Sequence, residues 1–104
     1  MALLFEDFFN DVFGTNGVAF KKSVATQGAV TVGNATALTA GGSTTPALLF
    51  GTTTGFGIYV GSGAPTISAA QGSLYLRSDG SSVSTRLYVN STGSTTWVAV
   101  TTAS

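Results

Sequence analysis

Neither cysteine nor histidine occurs among the 104 residues of this chain. Without cysteine there is no disulfide and no thiolate to bind a metal or attack a substrate. Without histidine, Ser/His/Asp and Cys/His catalysis cannot be assembled from the chain's own residues. Charge is scarce too: 8% of residues are charged, four basic and four acidic, against about a quarter in an ordinary soluble domain. Lys21-Lys22 is too small a basic cluster to neutralise a run of phosphates, so nucleic acid is not an expected partner. No apolar run approaches the roughly 18 residues of a membrane span. The start, Met1-Ala2-Leu3-Leu4-Phe5, turns acidic at Glu6-Asp7, unlike a secretory signal. No membrane partner is expected, and synthesis in a host cytoplasm is.

The acids are Glu6, Asp7, Asp11 and Asp79. Asp7 and Asp11 stand four apart on one side of a candidate helix, where a solvated polar face explains them better than a metal site. Gly55-Phe56-Gly57 and Gly61-Ser62-Gly63 lack the third glycine of a dinucleotide fold and the Gly-Lys-Ser/Thr of a phosphate loop. No catalytic, cofactor-binding or metal-ligating residue is therefore expected, and the chain reads as no enzyme.

What is present is apolar and small. Hydrophobic residues make up 43% of the chain, with 14 glycines. That is too apolar for intrinsic disorder. A surface with so little charge is either clothed in Ser, Thr and Asn or covered by other molecules. A small fold without staples commonly finds its remaining burial in oligomerisation.

Three regions follow from the pattern. Residues 1–14 carry the one helical period: Leu4, Phe5, Phe8, Phe9, Val12 and Phe13 recur at three- and four-residue spacing, and Gly14 stands where a helix ends. Such a short amphipathic helix needs a surface to dock on, so these six residues are the candidate assembly interface. Residues 15–54 read as an extended, Thr- and Gly-rich segment with short strands at Ala29–Val32, Thr36–Ala40 and Ala47–Phe50. Residues 55–104 read as a β meander. Phe56, Ile58 and Val60 alternate with Gly57 and Tyr59; Leu74 and Leu76 alternate with Tyr75 and Arg77; Leu87 and Val89 with Tyr88 and Asn90. The leucines and valines are expected inward, the tyrosines outward. Asp79-Gly80 and Ser91–Ser94 supply turns, and Trp97–Val100 the last strand. The fold class expected is mostly β: a short N-terminal amphipathic helix, then a small antiparallel β domain. Both sheet faces are apolar, and a homotrimer would cover them.

Two further local expectations concern side chains. Arg77 and Arg86 flank the Asp79 turn, where an Arg–Asp contact would fix the hairpin. Tyr59, Tyr75, Tyr88 and Trp97 suit cross-strand aromatic packing, with a sugar-stacking surface as the alternative.

The stretch Gly63-Ala64-Pro65-Thr66, Gly72-Ser73-Leu74-Tyr75-Leu76-Arg77, Asp79-Gly80, Arg86-Leu87-Tyr88-Val89-Asn90 and Gly93-Ser94-Thr95-Thr96-Trp97 resembles a module of tailed-bacteriophage virion proteins, found in head-decoration proteins, head fibres and tail-fibre pieces. It covers about the C-terminal two fifths of the chain. The resemblance implies a non-enzymatic structural protein on the capsid surface of the virion. It would decorate or cement the head through its N-terminal arm, with the major capsid protein, other virion proteins and copies of itself as partners. The alternative is a tail-fibre or host-recognition component that binds surface glycans.

Overall fold

The computed structural model describes residues 21–33 and 37–103. The expected N-terminal helix and its interface residues Leu4, Phe5, Phe8, Phe9, Val12 and Phe13 lie outside them. The chain divides into two compact units, Met1–Val30 and Thr31–Ser104. In the first, residues 21–30 have no regular structure and are exposed throughout.

The second unit carries one five-stranded sheet in the order β1-β2-β3-β4-β5. Its strands are β1 (Ala47–Leu49), β2 (Gly57–Gly61), β3 (Leu74–Arg77), β4 (Leu87–Asn90) and β5 (Trp97–Val100). β3, β4 and β5 form the antiparallel meander that the two Leu-Tyr-aliphatic repeats predict. β1 pairs antiparallel with β2. β2 and β3, however, run parallel, with Tyr59 beside Tyr75 and Val60 beside Leu76.

The sheet is therefore mixed, not antiparallel. The physical reason is the length of the Ser62–Ser73 connection, which matches the dozen or so residues that a parallel crossover requires and far exceeds a hairpin loop. Upstream, Ala29–Val32 forms no strand, and Ala40 contributes only an isolated bridge to Ser62.

The crossover carries no helix. It runs as irregular chain over one face of the sheet, held there by backbone bonds: Thr66 N–H to Gly41 C=O at 2.8 Å, Ala69 N–H to Ser94 C=O at 3.2 Å and Ala70 N–H to Gly55 C=O at 3.1 Å. Between loop and sheet lies the core. Tyr59, Tyr75 and Tyr88 sit side by side on three adjacent strands, with Ala47 and Ala99 at the two ends of the same row. Their exposures are 2%, 0% and 8%. Ala69 is buried with them, and Ile67 and Trp97 pack against the cluster.

The tyrosines thus face inward and the aliphatics outward, the reverse of the sequence expectation. Tyrosine and tryptophan can be buried when their polar tips find partners, and backbone carbonyls of the crossover and of the β1–β2 turn supply them. Tyr75 donates to the carbonyls of Ser62 (3.2 Å) and Gly63 (3.1 Å), Tyr59 to Gly55 C=O (2.7 Å), and Trp97 Nε1 to Ile67 C=O (2.8 Å). Gly61 on β2 makes room for this arrangement. A Cβ there would collide with the Tyr75 hydroxyl and lie 2.7 Å from Gly42 Cα.

Candidate interaction surface

Alternation along each strand sends every second side chain to the face opposite the tyrosines. The register aligns them into two rows. Leu48, Ile58, Leu74, Val89 and Val98 cross all five strands. Val60, Leu76, Leu87 and Val100 form the second row across four. All nine are aliphatic. Leu48, Leu76 and Val98 remain 49%, 47% and 50% exposed, and the other six are half-buried by their neighbours. At the β1 corner the face dips into a cleft of about 230 Å³ lined by Val32, Pro46, Ala47, Leu48, Ile58, Val60 and Leu76.

No charged side chain stands on these rows. The charges of the second unit gather on and beside the tyrosine face. Arg77 Nε donates to Asp79 Oδ1 at 2.8 Å, and the same oxygen accepts from Gly63 N–H at 2.8 Å. Arg77 also reaches the Tyr88 hydroxyl at 3.3 Å. The Arg77–Asp79 contact is the one the turn sequence predicts. Arg86 instead donates from Nε to Ser82 C=O at 3.0 Å, within its own loop. The Arg77 hydrogen bond and then that from Gly63 hold the Asp79 carboxyl below its ordinary value. Burial, with the Asp79 charge second, pushes the Tyr75 hydroxyl up.

The aromatic rings pack on one another, Tyr75 and Tyr88 from adjacent strands and Trp97 reaching back from β5 toward β2 and β3. Tyr75 and Tyr88 meet edge-on with ring centroids 6.0 Å apart, Tyr59 and Trp97 likewise at 6.4 Å, and Tyr75 and Trp97 are tilted at 5.8 Å. With the three tyrosines buried, they offer no open platform for a sugar ring. A second cleft, about 400 Å³, opens beside them, between Thr44, Leu49, Thr54 and Tyr59 on one side and Ser68–Ala70 on the other. It contains no acid or amine. Among the described residues, no group of three or more Asp, Glu, His or Cys could hold a metal ion, and no helix is long and apolar enough to cross a membrane.

Among the described residues, the second unit is a small mixed β sheet with one uncharged aliphatic face. No protein-family model matches the chain, and neither a curated protein nor a solved structure matches it. Sequence reasoning missed this face by assigning its leucines and valines to the interior. The signal that identifies it is the crossover. A twelve-residue connection rich in small residues and carbonyls can cover tyrosines and satisfy their hydroxyls, which an aliphatic face does not need.

Proposed function

We propose that this protein is a non-enzymatic structural component of a bacteriophage virion, a head-decoration or cement protein that acts by burial against neighbouring proteins. One observation carries the reading: one face of the sheet is aliphatic and uncharged, and Leu48, Leu76 and Val98 on it are about half exposed. Exposed apolar patches of this kind mark protein–protein contact sites. The phage-like module from Gly63 to Trp97 and the scarcity of charge support the same reading. The partners are the major capsid protein or other virion proteins, together with copies of the chain arranged as a homotrimer. The Phe-rich segment with Leu4, Phe5, Phe8, Phe9, Val12 and Phe13 is the proposed anchor to the particle.

The glycan-binding alternative drew on Tyr59, Tyr75, Tyr88 and Trp97, and the burial of the three tyrosines leaves it only the half-buried Trp97. The test of the anchor is incorporation of the double variant Phe8→Asp/Phe9→Asp into particles. A loss of at least tenfold in bound protein is expected, and normal incorporation would refute the anchoring role. Immunogold label over the whole head is expected for a decoration protein, whereas label confined to the tail would end that assignment.

A further inference from the structure

We infer that Lys21-Lys22 is a processing site, cut by an endoprotease whose specificity pocket carries a carboxylate. The pair is the one basic motif in the sequence that the proposed function leaves unused.

Such a protease needs more than a lysine. It binds its substrate as an added strand, so the residues beside the cleaved bond must be exposed and free of other backbone pairing. Residues 21–30 meet that demand. They are exposed throughout and have no regular structure, and among the described residues none of them takes part in a backbone–backbone hydrogen bond. Val24 is 60% exposed, and a Cβ built on Gly28 would meet nothing within 4 Å. Ser23 follows the pair, and no proline interrupts the run to Val30.

The sheet withholds the chain's other two basic residues. The bond after Arg77 ends β3, where Arg77 N–H donates to Arg86 C=O at 3.0 Å and Ser78 N–H to Gly61 C=O at 2.8 Å. The bond after Arg86 opens β4, and Leu87 is paired with Leu76 on one side and Val100 on the other. Cutting at either position requires the sheet to open, a state that marginally stable proteins visit for only about 10⁻³ to 10⁻⁶ of the time.

The cut adds one water across the Lys22–Ser23 peptide bond. The C–N bond breaks, Lys22 gains a carboxylate and the Ser23 nitrogen becomes an amine. All five strands lie downstream of it in the chain, and Leu4, Phe5, Phe8, Phe9, Val12 and Phe13 lie upstream. One cut therefore parts the sheet from the proposed anchor. That consequence rests on the function proposed above; the site itself does not.

The experiment is brief digestion of the purified full chain with a low ratio of trypsin, whose pocket carries such a carboxylate, followed by intact mass over time. A product running from Lys22 or Ser23 to the end of the chain should appear first and accumulate. It should form at least about a hundredfold faster than any cut at Arg77 or Arg86. Lys21→Gln/Lys22→Gln should abolish that product, with Trp97 fluorescence reporting an unchanged sheet. A free peptide of residues 72–90, too short to form the sheet, should be cut at both arginines.

The inference is overturned by a chain that resists trypsin, by first cuts at Arg77 or Arg86, or by an early product that survives the double substitution. A peptide as resistant as the folded chain overturns it too, because sequence and not fold would then protect the arginines. On particles, trypsin should release the sheet fragment. A fragment cut at the lysines yet still bound would remove the anchor and leave the processing site standing.

Discussion

The two faces of this sheet are built from the same five short strands yet meet opposite fates. The tyrosine face is roofed by the chain's own crossover, and every polar atom buried beneath that roof is paired: none of the buried side-chain nitrogens or oxygens among the described residues lacks a hydrogen-bond partner. The aliphatic face has no polar side-chain atom to satisfy, and Leu48, Leu76 and Val98 on it stay about half exposed. Hydrophobicity alone would have put the leucines and valines inside, since each contributes about 1.5–3 kcal/mol when buried. What decides the outcome is which face the crossover can cover. An irregular loop exposes carbonyls on its underside, and a roof of that kind fits donors such as the tyrosine hydroxyl and the indole N–H, whose burial without partners is costly. An aliphatic face makes no such demand and would be met by any apolar surface.

Paired substitutions on adjacent residues of β3 break this comparison most sharply. Tyr75→Ala removes the side chain that touches Tyr88, Trp97 and the loop carbonyls. It should cost about 3–5 kcal/mol, as aromatic-to-alanine changes in cores do. That is enough to leave much of a small domain unfolded. Leu76→Ser, one residue along and on the other face, should change the stability of the dilute single chain by less than about 1 kcal/mol. Urea denaturation followed by tryptophan fluorescence measures both. Equal losses would mean that the two faces share one core and that the aliphatic face is covered in solution.

How much of this could be read in the sequence follows from the same asymmetry. The repeats at Leu74 and Leu87, the turns after them and the Trp97 strand were legible, because strand alternation and Gly-containing turns are local signals. The Arg77–Asp79 contact was legible for the same reason, since only Ser78 separates the partners. The parallel pairing of β2 with β3 was not. Gly61-Ser62-Gly63-Ala64-Pro65 punctuates the chain in the same way whether it opens a hairpin or a crossover, and the difference lies in where Ile67 and Ala69 come to rest. The inversion of the faces was hidden by the same step, because period two says that two faces differ without saying which is covered.

Asn90 sharpens the contrast at middle range. Its side chain is 1% exposed on the covered face, where a polar residue survives only by being fully used. Nδ2 donates to Ser94 C=O at 2.6 Å, and Oδ1 accepts from Thr92 N–H at 3.2 Å and Gly93 N–H at 2.7 Å. One side chain thereby shapes the whole turn between β4 and β5. Asn90→Ala should cost about 1–3 kcal/mol, the range for breaking buried hydrogen bonds, and should speed amide exchange at Thr92 and Gly93. Val89→Thr, its neighbour on the aliphatic face, should cost less than about 1 kcal/mol and leave that exchange unchanged.

The smallest effect belongs to the charged margin of the covered face. Asp79 is lowered by its bond from Arg77 and then by that from Gly63, so the folded state binds a proton here less readily than the unfolded chain. The stability this contributes is full above the ordinary aspartate value of 3.8 and is lost as pH falls through the lower folded value. Asp79 is exposed and Arg77 half-buried, at 54% and 22%, so screening by water and salt keeps the contribution small. Asp79→Asn should therefore lower the melting temperature slightly at neutral pH and not at all at the acid end, with the two curves converging as pH falls below the usual carboxylate range. Raising the salt concentration at neutral pH should shrink the gap as well. Curves that ran parallel down to the lowest pH would show that Asp79 acts through its shape in the turn, accepting the Gly63 N–H, and not through its charge.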